Sequence, residues 1–578
     1  MHSYRPSEMG PKVLGVQEGA PVDQNLLQLE SGHLDGALTE VAPTLPGRWG
    51  PVFTVWLGPR PAVVLCSYAA LRDALVLQAD AFSGRGARAV FERFTRGNGV
   101  VVSNGQRWWT LRSFALGALK EFGLGTRTIK DSVLEEAPCL LGEFQDSVGA
   151  PFDPWRLLDN AVSHVMCSVV FENRYGYEDP EFLRFLDLFN DNFRIMSSRW
   201  GEMYIFPSLL KWLPGPHHGI FRNLAELRVF ISQQTQQQPA AREPRNFIDC
   251  FLGQTDKEQK GPESHFQETL VMTTHNHFFG STETTSTILR CGLLILLQHP
   301  EVAAKAQAEL DPVVGRMCAP SLEDQERLPY TNTTLQEMQS VFSVLPLELP
   351  RALTCDAHLR SHFLPKGTFM IPLLASAHQD LTQFKDPDCI NPTNFLNDKG
   401  ELQSNNSFMP FAPGLGWARR GPAWTCRGVH GFLTPHPHVP RKAMCLGAGL
   451  ARSEIFLTSI LQQFCLLPVG SPTNIDPTPQ CTGLGNVPPA FQLCLVAAEV
   501  RFSHPLLTGS QTSLPSSINK GPELQMEGSS YQQGQEAMTH PNPKSCILVG
   551  SGNASFQLSK PERDMRDQTG QDAGPQLQ

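Results

Sequence analysis

The chain has 578 residues, of which 41% are hydrophobic, and this is ample apolar material for a large core. Its formal net charge of −9 is a mild acidic excess and gives no reason to expect nucleic acid as a partner. The 14 cysteines include no C-x-x-C pair, which excludes a zinc ribbon or a dense disulfide framework and favours reduced thiols facing the cytosol.

The N-terminal segment, residues 1–50, is atypical because it contains no apolar stretch that would serve as a membrane anchor or signal peptide. Two apolar runs follow, 51–58 and 61–66, separated by Gly58-Pro59-Arg60. They are predicted to form a β-hairpin. Residues 68–77 have helical spacing, with Leu71, Leu75 and Leu77 expected on one apolar side.

Long helical patterns extend from Arg107 to about Leu310, and the first of them carries Trp108 and Arg112. Because these residues are four apart, their indole N–H and guanidinium lie on one helical face and can grip a carboxylate together. An ordinary amphipathic helix explains the same spacing. A second candidate feature is the apolar stretch Ile205 to Leu213, for which core and an exposed tip between helices both remain open.

The segment Phe278 to Thr285 lies within a long helical run but contains Gly280 and several β-branched or polar residues, which lower helix propensity. One interpretation is a capping box in a broken helix. The other is a groove that holds a dioxygen-sized ligand beside an acid and a hydroxyl. His275 and His277 point about 200° apart on a helix and cannot share a metal, so they are read as pocket lining.

Cys445 stands at the predicted start of a helix, in Ala443-Met444-Cys445-Leu446-Gly447-Ala448-Gly449. The glycines let the backbone approach a ligand, and the helix start turns unpaired N–H groups and a positive dipole end toward the sulfur. This setting favours the thiolate that a metal ligand needs. The alternatives are a small buried hydrophobic cysteine, or Cys426 as a rival ligand.

Short strands are predicted for 346–372, a meander around 391–396, a helix from Leu446 to about Gln463, and short strands to about Leu495. Residues 500–578 are rich in Ser, Gln, Gly and Pro and poor in aromatics. Such a tail cannot bury enough apolar area to offset its ordering entropy, so it is predicted to be disordered.

These segments, in this order, resemble the cytochrome P-450 superfamily of heme-thiolate monooxygenases, most of all its vertebrate family 2 microsomal members. The likeness includes Phe82-Ser83-Gly84, the Trp108 and Glu283 motifs, Leu364 to Thr368 and the Cys445 loop. It implies a mainly α (α+β) fold, a helical prism with a small β-rich domain. The P-450 domain would span 51–499, with an insertion at 415–441.

The resemblance implies heme b between the Glu283 helix and the helix after Cys445, with Cys445 as axial ligand of the iron. Glu283 and Thr284 would then deliver protons to dioxygen. Propionate contacts would come from four residues: Arg96, Trp108, Arg112 and Arg351.

The implied reaction inserts one oxygen atom of O2 into a hydrophobic small molecule such as a xenobiotic, a steroid or a fatty acid. NADPH would supply electrons through NADPH–cytochrome P-450 reductase, with cytochrome b5 as a second redox partner. The implied location is the cytosolic face of the endoplasmic reticulum membrane, with peripheral contact at 205–213. The missing anchor leaves a cytosolic location open.

The chain departs from the family pattern at several positions. The 415–441 insertion separates Gly414 from Cys445, Ala443 replaces an arginine, and Ser340 replaces the arginine of the Glu-x-x-Arg motif that begins at Glu337. Asn394 stands where the family has a basic meander residue. These departures favour an alternative, a catalytically impaired or heme-deficient relative. A third reading, a heme-free module that binds lipophiles, has no positive support in the sequence.

Overall fold

The computed structural model contains a large helical part and a small β-rich part. It describes these residues: 49–57, 60–86, 94–121, 127–198, 200–201, 214–237, 244–258, 263–316, 318–387, 389–410 and 454–498. The predicted insertion, the Cys445 loop, the 205–213 stretch and the 500–578 tail lie outside the described residues. The predicted class, mainly helical with small sheets, is confirmed.

The helices are α1 Tyr68–Arg72, α2 Gly105–Glu121, α3 Arg127–Asp146, α4 Trp155–Phe171, α5 Pro180–Ser197, α6 His217–Gln237, α7 Phe247–Glu258, α8 Glu263–Gln298, α9 Pro300–Val313, α10 Pro329–Val341, α11 Ala375–His378 and α12 454–463. The strands are β1 Val52–Leu57, β2 Arg60–Leu65, β3 Gly84–Arg85, β4 Arg351–Ala352, β5 Ala357–Leu359, β6 His362–Leu364, β7 Phe369–Pro372, β8 Phe464–Pro468, β9 Cys481–Thr482, β10 Asn486–Val487 and β11 Leu493–Ala497. Short 3₁₀ segments cover Leu322–Arg327, Pro392–Phe395 and Pro472–Asn474.

The helical part is organised around α8, which is 36 residues long and contacts α4, α5, α6, α7, α9 and α10. Its residues from Leu270 to Leu297 are mostly buried, as expected for a helix surrounded by others rather than lying on the surface. The neighbouring α5 begins at an N-cap, Asp179, whose carboxylate accepts hydrogen bonds from the backbone N–H groups of Glu181 and Phe182. Its phenylalanines then pack toward α8 and α6.

The β-rich part contains a five-stranded sheet with the order β1-β2-β7-β4-β3. The predicted hairpin is confirmed, since β1 pairs antiparallel with β2 from Val52↔Leu65 to Leu57↔Arg60. β2 then pairs in parallel with β7, whereas β4 pairs antiparallel with both β7 and β3. The sheet thereby brings residues near Arg85 beside residues near Arg351.

The segment after the hairpin is helical as predicted, with α1 continuing into a π-helical turn, Asp73–Leu77. Leu71 and Leu75 are fully buried, but Leu77 is 65% exposed, so its predicted place on the apolar side is wrong. The wider π turn changes the angular position of the last residue. Among the described residues, no helix is both long and apolar enough to cross a membrane.

Candidate active site on the central helix

The middle of α8 has an open side within an otherwise buried helix. Asn276, Phe279, Gly280, Ser281 and Thr284 are partly exposed, although residues 269–275 and 285–297 of the same helix are buried. A Cβ added to Gly280 would meet nothing within 4 Å. The spacing of Asn276, Gly280 and Thr284 places them in one row on the helix surface. We call this row, with Phe279 beside it, the open stripe.

α8 runs through Gly280 without interruption, so the interpretation of 278–285 as a capping box in a broken helix is wrong. The Thr284 hydroxyl donates a hydrogen bond to the Gly280 carbonyl at 2.7 Å, and the Ser281 hydroxyl donates to the carbonyl of His277. These bonds to the preceding turn are the usual arrangement of hydroxyl residues inside a helix. Surrounding helices therefore override the weak local propensity of this segment.

Glu283 lies next to Thr284 and is 2% exposed. Within the described part of the chain, its Oε1 atom has no hydrogen-bond partner. Burial raises the pKa of this carboxyl well above its usual range, and the nearby Asp159 adds to the rise, while Arg290 opposes it. A carboxyl whose pKa is raised in this way is chemically suited to the role of a proton donor.

A buried polar group on α4 and α5 supports this acid and was missed by sequence reasoning. Asp159 is 2% exposed, and its Oδ2 accepts a hydrogen bond from Asn190 Nδ2 at 2.6 Å. Arg290 lies over the Trp155 ring with its Cζ atom 5.3 Å from the ring centroid. Only the spacing of Glu283 and Arg290 on α8, seven residues apart, could have indicated a shared polar face.

The two histidines of α8 lie on different faces, as their spacing predicts. The His275 ring contacts Phe94, Phe189 and Phe279, with centroid distances of 5.0, 5.0 and 5.8 Å. The His277 ring instead meets Phe247 of α7 edge-on at 4.6 Å. Within the described residues, no cluster of three or more His, Cys, Asp or Glu side chains could hold a metal ion.

Trp108 and Arg112 of α2 share a helical face, as predicted. The Arg112 Cζ atom lies 5.5 Å from the Trp108 ring centroid, and the two residues are 9% and 3% exposed. Burial lowers the pKa of Arg112 to about 10, because the low-dielectric surroundings disfavour the charged guanidinium. A buried cation stacked on an indole suits an anionic partner.

Arg351 is buried on β4 and forms an ion pair that sequence reasoning did not anticipate. Its Nη2 and Nε atoms donate to the Glu348 carboxylate at 2.6 and 3.1 Å, and Arg85 Nη1 donates to the same carboxylate at 3.4 Å. Two guanidinium groups therefore share this one carboxylate, which is largely shielded from solvent. Arg96, by contrast, is exposed and has a left-handed backbone, with φ of 51°.

Arg85 also donates a hydrogen bond to the loop before α2. That loop in turn donates a hydrogen bond to Asn276 of the open stripe. Its Nε donates to the Val101 carbonyl at 3.1 Å, and the Val101 N–H donates to Asn276 Oδ1 at 3.2 Å. Gly99 is required here because a Cβ at that residue would lie 2.3 Å from Asn276 Oδ1. Arg85 directly follows Phe82-Ser83-Gly84, but nothing local in the sequence indicates its distant partners.

Glu337 of α10 has lost its charged partners, as the sequence predicts, and within the described residues it forms no ion pair. Its Oε1 atom accepts hydrogen bonds from Asn394 Nδ2 at 2.9 Å and from the Asn391 N–H at 3.2 Å. Oε2 has no hydrogen-bond partner among the described residues. Burial raises the pKa of this carboxyl to about 7, although both hydrogen bonds act to lower it. Asn394 thus replaces the basic residue with a neutral donor.

Comparisons with known proteins agree with this arrangement. Residues 15–415 match the profile of the family described as Cytochrome P450, and the match ends where the predicted insertion begins. Cytochrome P450 2F2 of Mus musculus is 44% identical over 493 residues, covering 84% of this chain and 93% of the relative. Cytochrome P450 2F1 of Homo sapiens is 43% identical, covering 82% and 91%. Cytochrome P450 2B4 of Oryctolagus cuniculus is 40% identical, covering 82% and 92%. These matches give no support to the alternative of an impaired relative.

The described residues fit the heme b that this family uses. The open stripe of α8 leaves space beside a helix that is otherwise packed on every side. The buried guanidinium group of Arg112 and those of Arg85 and Arg351 suit the anionic propionates. The predicted axial ligand, Cys445, and its rival, Cys426, lie outside the described residues, as does Ala443.

Proposed function

The chain belongs to the cytochrome P450 family of heme-dependent monooxygenases, and we propose which of its residues take part in the monooxygenase reaction and which class of substrate the protein oxidises. The proposed substrates are hydrophobic small molecules of the xenobiotic, steroid or fatty-acid type. One observation carries the proposal: Glu283, a buried carboxyl whose pKa is raised by burial, directly precedes Thr284, whose hydroxyl-bearing side chain belongs to the open stripe of α8.

In this proposal, the Cys445 thiolate would hold the heme iron, and Arg96, Trp108, Arg112 and Arg351 would bind the propionates. When bound, the heme supplies dioxygen activation and transfer of an oxygen atom to the substrate. The burial of Trp108, Arg112 and Arg351 supports their part in the site. Arg96 is exposed, so its proposed contact needs the side chain to turn inward from a strained backbone.

Glu283 is proposed to hold a proton at its carboxyl and to release it toward the open stripe, with the Thr284 hydroxyl as the next group. The raised pKa of Glu283 supports this order, because the acid keeps its proton until a base forms nearby. Thr284 can leave its bond to the Gly280 carbonyl by rotating one side-chain torsion. Asp159 and Arg290 set the electrostatic field around Glu283 without facing the stripe.

The electron supply is proposed to be NADPH through NADPH–cytochrome P-450 reductase, with cytochrome b5 as a second redox partner. The proposed location is the cytosolic face of the endoplasmic reticulum membrane, with the apolar 205–213 stretch as a peripheral contact. The proposed domain spans 51–499 and is interrupted by 415–441, with 500–578 as a tail. Similarity to named relatives supports these points at the level of the family.

The first test is the carbon-monoxide difference spectrum of the reduced, purified protein. A Soret band at about 450 nm is expected for heme held by a thiolate. A band at about 420 nm, or no heme band, would favour the impaired alternative. Deleting 415–441 and introducing Ser340→Arg and Ala443→Arg should then recover heme binding. If the repaired chain also lacked heme, the insertion and the two substitutions would not be the cause.

The proton path has a separate test in turnover with NADPH and reductase. Glu283→Gln keeps the size of the side chain but removes the acid, so NADPH oxidation should yield hydrogen peroxide at the expense of product. Ser281→Ala is the matched control, because it removes a hydroxyl of the same helix whose partner, within the described part of the chain, is the carbonyl of His277. Equal product yields for wild type and Glu283→Gln would refute the proposed role.

A further inference from the structure

His275 is buried among aromatic rings, and within the described residues its two ring nitrogens have no hydrogen-bond partner. The residue is 2% exposed, and its ring packs edge-on against Phe94 and at an angle against Phe189. The Phe279 ring lies nearly parallel to it, at an interplanar angle of 12°. Within the described residues, neither Nδ1 nor Nε2 of His275 has a hydrogen-bond partner. Buried polar groups are rarely left in this state, since each unpaired atom is costly.

The imidazole is neutral under ordinary conditions, so it offers one N–H donor and one acceptor nitrogen. Burial lowers the pKa of His275 to about 3, and the positive charge of Arg228 on α6 adds to the decrease. A neutral ring that both donates and accepts is complementary to a hydroxyl group, which does the same. The phenylalanine rings around this imidazole would pack favourably against the ring of an aromatic ligand.

One residue of the open stripe, Phe279, stacks its ring on this imidazole at a centroid distance of 5.8 Å. Phe279 follows His275 by one helical turn and is itself partly exposed beside Gly280. The Phe279 side chain therefore contacts the imidazole and is partly exposed on the open side of α8. A change of its χ1 rotamer would connect the imidazole with that space.

We propose that His275 recognises the hydroxyl group of aromatic substrates, and that this protein prefers phenol-bearing ligands to ligands of the same shape without a hydroxyl. The inference rests on the proposed function, because it places the substrate beside the open stripe of α8. The physical basis is that a site with buried polar atoms discriminates against ligands that leave those atoms unpaired.

His277 provides an internal control on the same helix. It is 6% exposed, and neither ring nitrogen has a hydrogen-bond partner among the described residues. Its ring, however, packs against Phe247 of α7 on a different face of α8. A general effect of replacing a buried histidine should therefore appear with both residues, whereas ligand recognition should appear with His275 alone.

The test is equilibrium dialysis of the purified full chain with 2-naphthol and 2-methylnaphthalene, which differ by a hydroxyl in place of a methyl. The measured quantity is the ratio of the two dissociation constants. His275→Leu should weaken the binding of 2-naphthol about tenfold relative to that of 2-methylnaphthalene, which is the effect expected when one hydrogen bond to a buried group is lost. His277→Leu should leave the ratio within about twofold of wild type. His275→Gln, which retains a donor and an acceptor, should keep part of the preference.

An unchanged ratio in His275→Leu, or equal changes in both leucine variants, would overturn the inference. Absence of binding by either probe to the wild type would overturn it as well. His275→Phe serves as a second apolar variant if His275→Leu does not fold. Dialysis does not depend on bound heme, so the carbon-monoxide spectrum tests the proposed function separately. A His275-dependent ratio without a band at about 450 nm would refute only the monooxygenase proposal.

Discussion

Replacing Glu337 by glutamine should stabilise this protein at high pH. Glutamine is nearly isosteric and still offers an oxygen to Asn394 Nδ2 and to the Asn391 N–H, but it cannot ionise. Glu337 is 1% exposed, and its pKa is raised from 4.5 to about 7. At about 1.4 kcal/mol for each pKa unit, forcing it to ionise in the folded state costs about 3 kcal/mol.

The sign of the pH dependence follows from the raised pKa. The contribution of Glu337 to stability is fully present below pH 4.5 and is lost as the pH rises through about 7. In the glutamine variant, the contribution of this position to stability does not fall as the pH rises, because glutamine does not ionise. The free energy of unfolding of Glu337→Gln, relative to wild type, should therefore rise by about 3 kcal/mol between about pH 4 and about pH 8.

Urea denaturation followed by circular dichroism at several pH values measures this difference. Glu454, whose pKa is raised to about 8 by burial, titrates in both proteins and cancels in the comparison. Asn394→Arg is the complementary variant, because it places a cation beside Glu337 and should reduce the loss of wild-type stability at high pH. A difference between wild type and Glu337→Gln that does not grow with pH would refute the reasoning.

Three further predictions concern the helical part. Gly280→Ala should raise the free energy of unfolding by about 1 kcal/mol, since alanine has the higher helix propensity and its Cβ would meet nothing within 4 Å. Gly292→Ala is the control and should stabilise the protein less, because its Cβ would lie 2.9 Å from Met338 Sδ. Equal stabilisation by the two substitutions in thermal denaturation would contradict this prediction. Glu136→Ala should cost about 1–3 kcal/mol in urea denaturation, because the buried His164 ring and the Tyr177 hydroxyl lose a partner that they contact at 3.0 and 2.7 Å. Arg174, which donates to the same carboxylate at 2.8 Å, has a side chain that is 46% exposed and adds little to this cost; a loss below about 0.5 kcal/mol would argue against the prediction. Arg112→Leu should lower the heme content per purified chain while Arg112→Lys retains more, and equal heme contents in a pyridine hemochromogen assay would remove Arg112 from the site.

Much of the fold could be predicted because its signals are local. The apolar runs on either side of Gly58-Pro59-Arg60 are sufficient to specify the β1–β2 hairpin. The spacing of Trp108 and Arg112 is sufficient to place both on one face of α2. Ser340 and Asn394 carry no charge, so the sequence alone indicates that Glu337 lacks the ion pair of its relatives. Each inference needs only residue type and periodicity.

Other features depended on contacts between distant parts of the chain. Glu348 is shared by Arg85 and Arg351, which are brought together by β3–β4 pairing and not by any local pattern. α8 stays continuous through Gly280 because packing on several sides outweighs a propensity cost of about 1 kcal/mol.

Residue types and their spacing were sufficient to predict the β1–β2 hairpin, the family motifs and the different faces of His275 and His277, because local covalent geometry fixes the direction of a side chain on its helix. What each face meets was decided only by the tertiary structure. His275 lies among aromatic rings beside the open stripe, and His277 lies against α7. The physical reason is that burial, and with it pKa and hydrogen bonding, is set by neighbours from other segments.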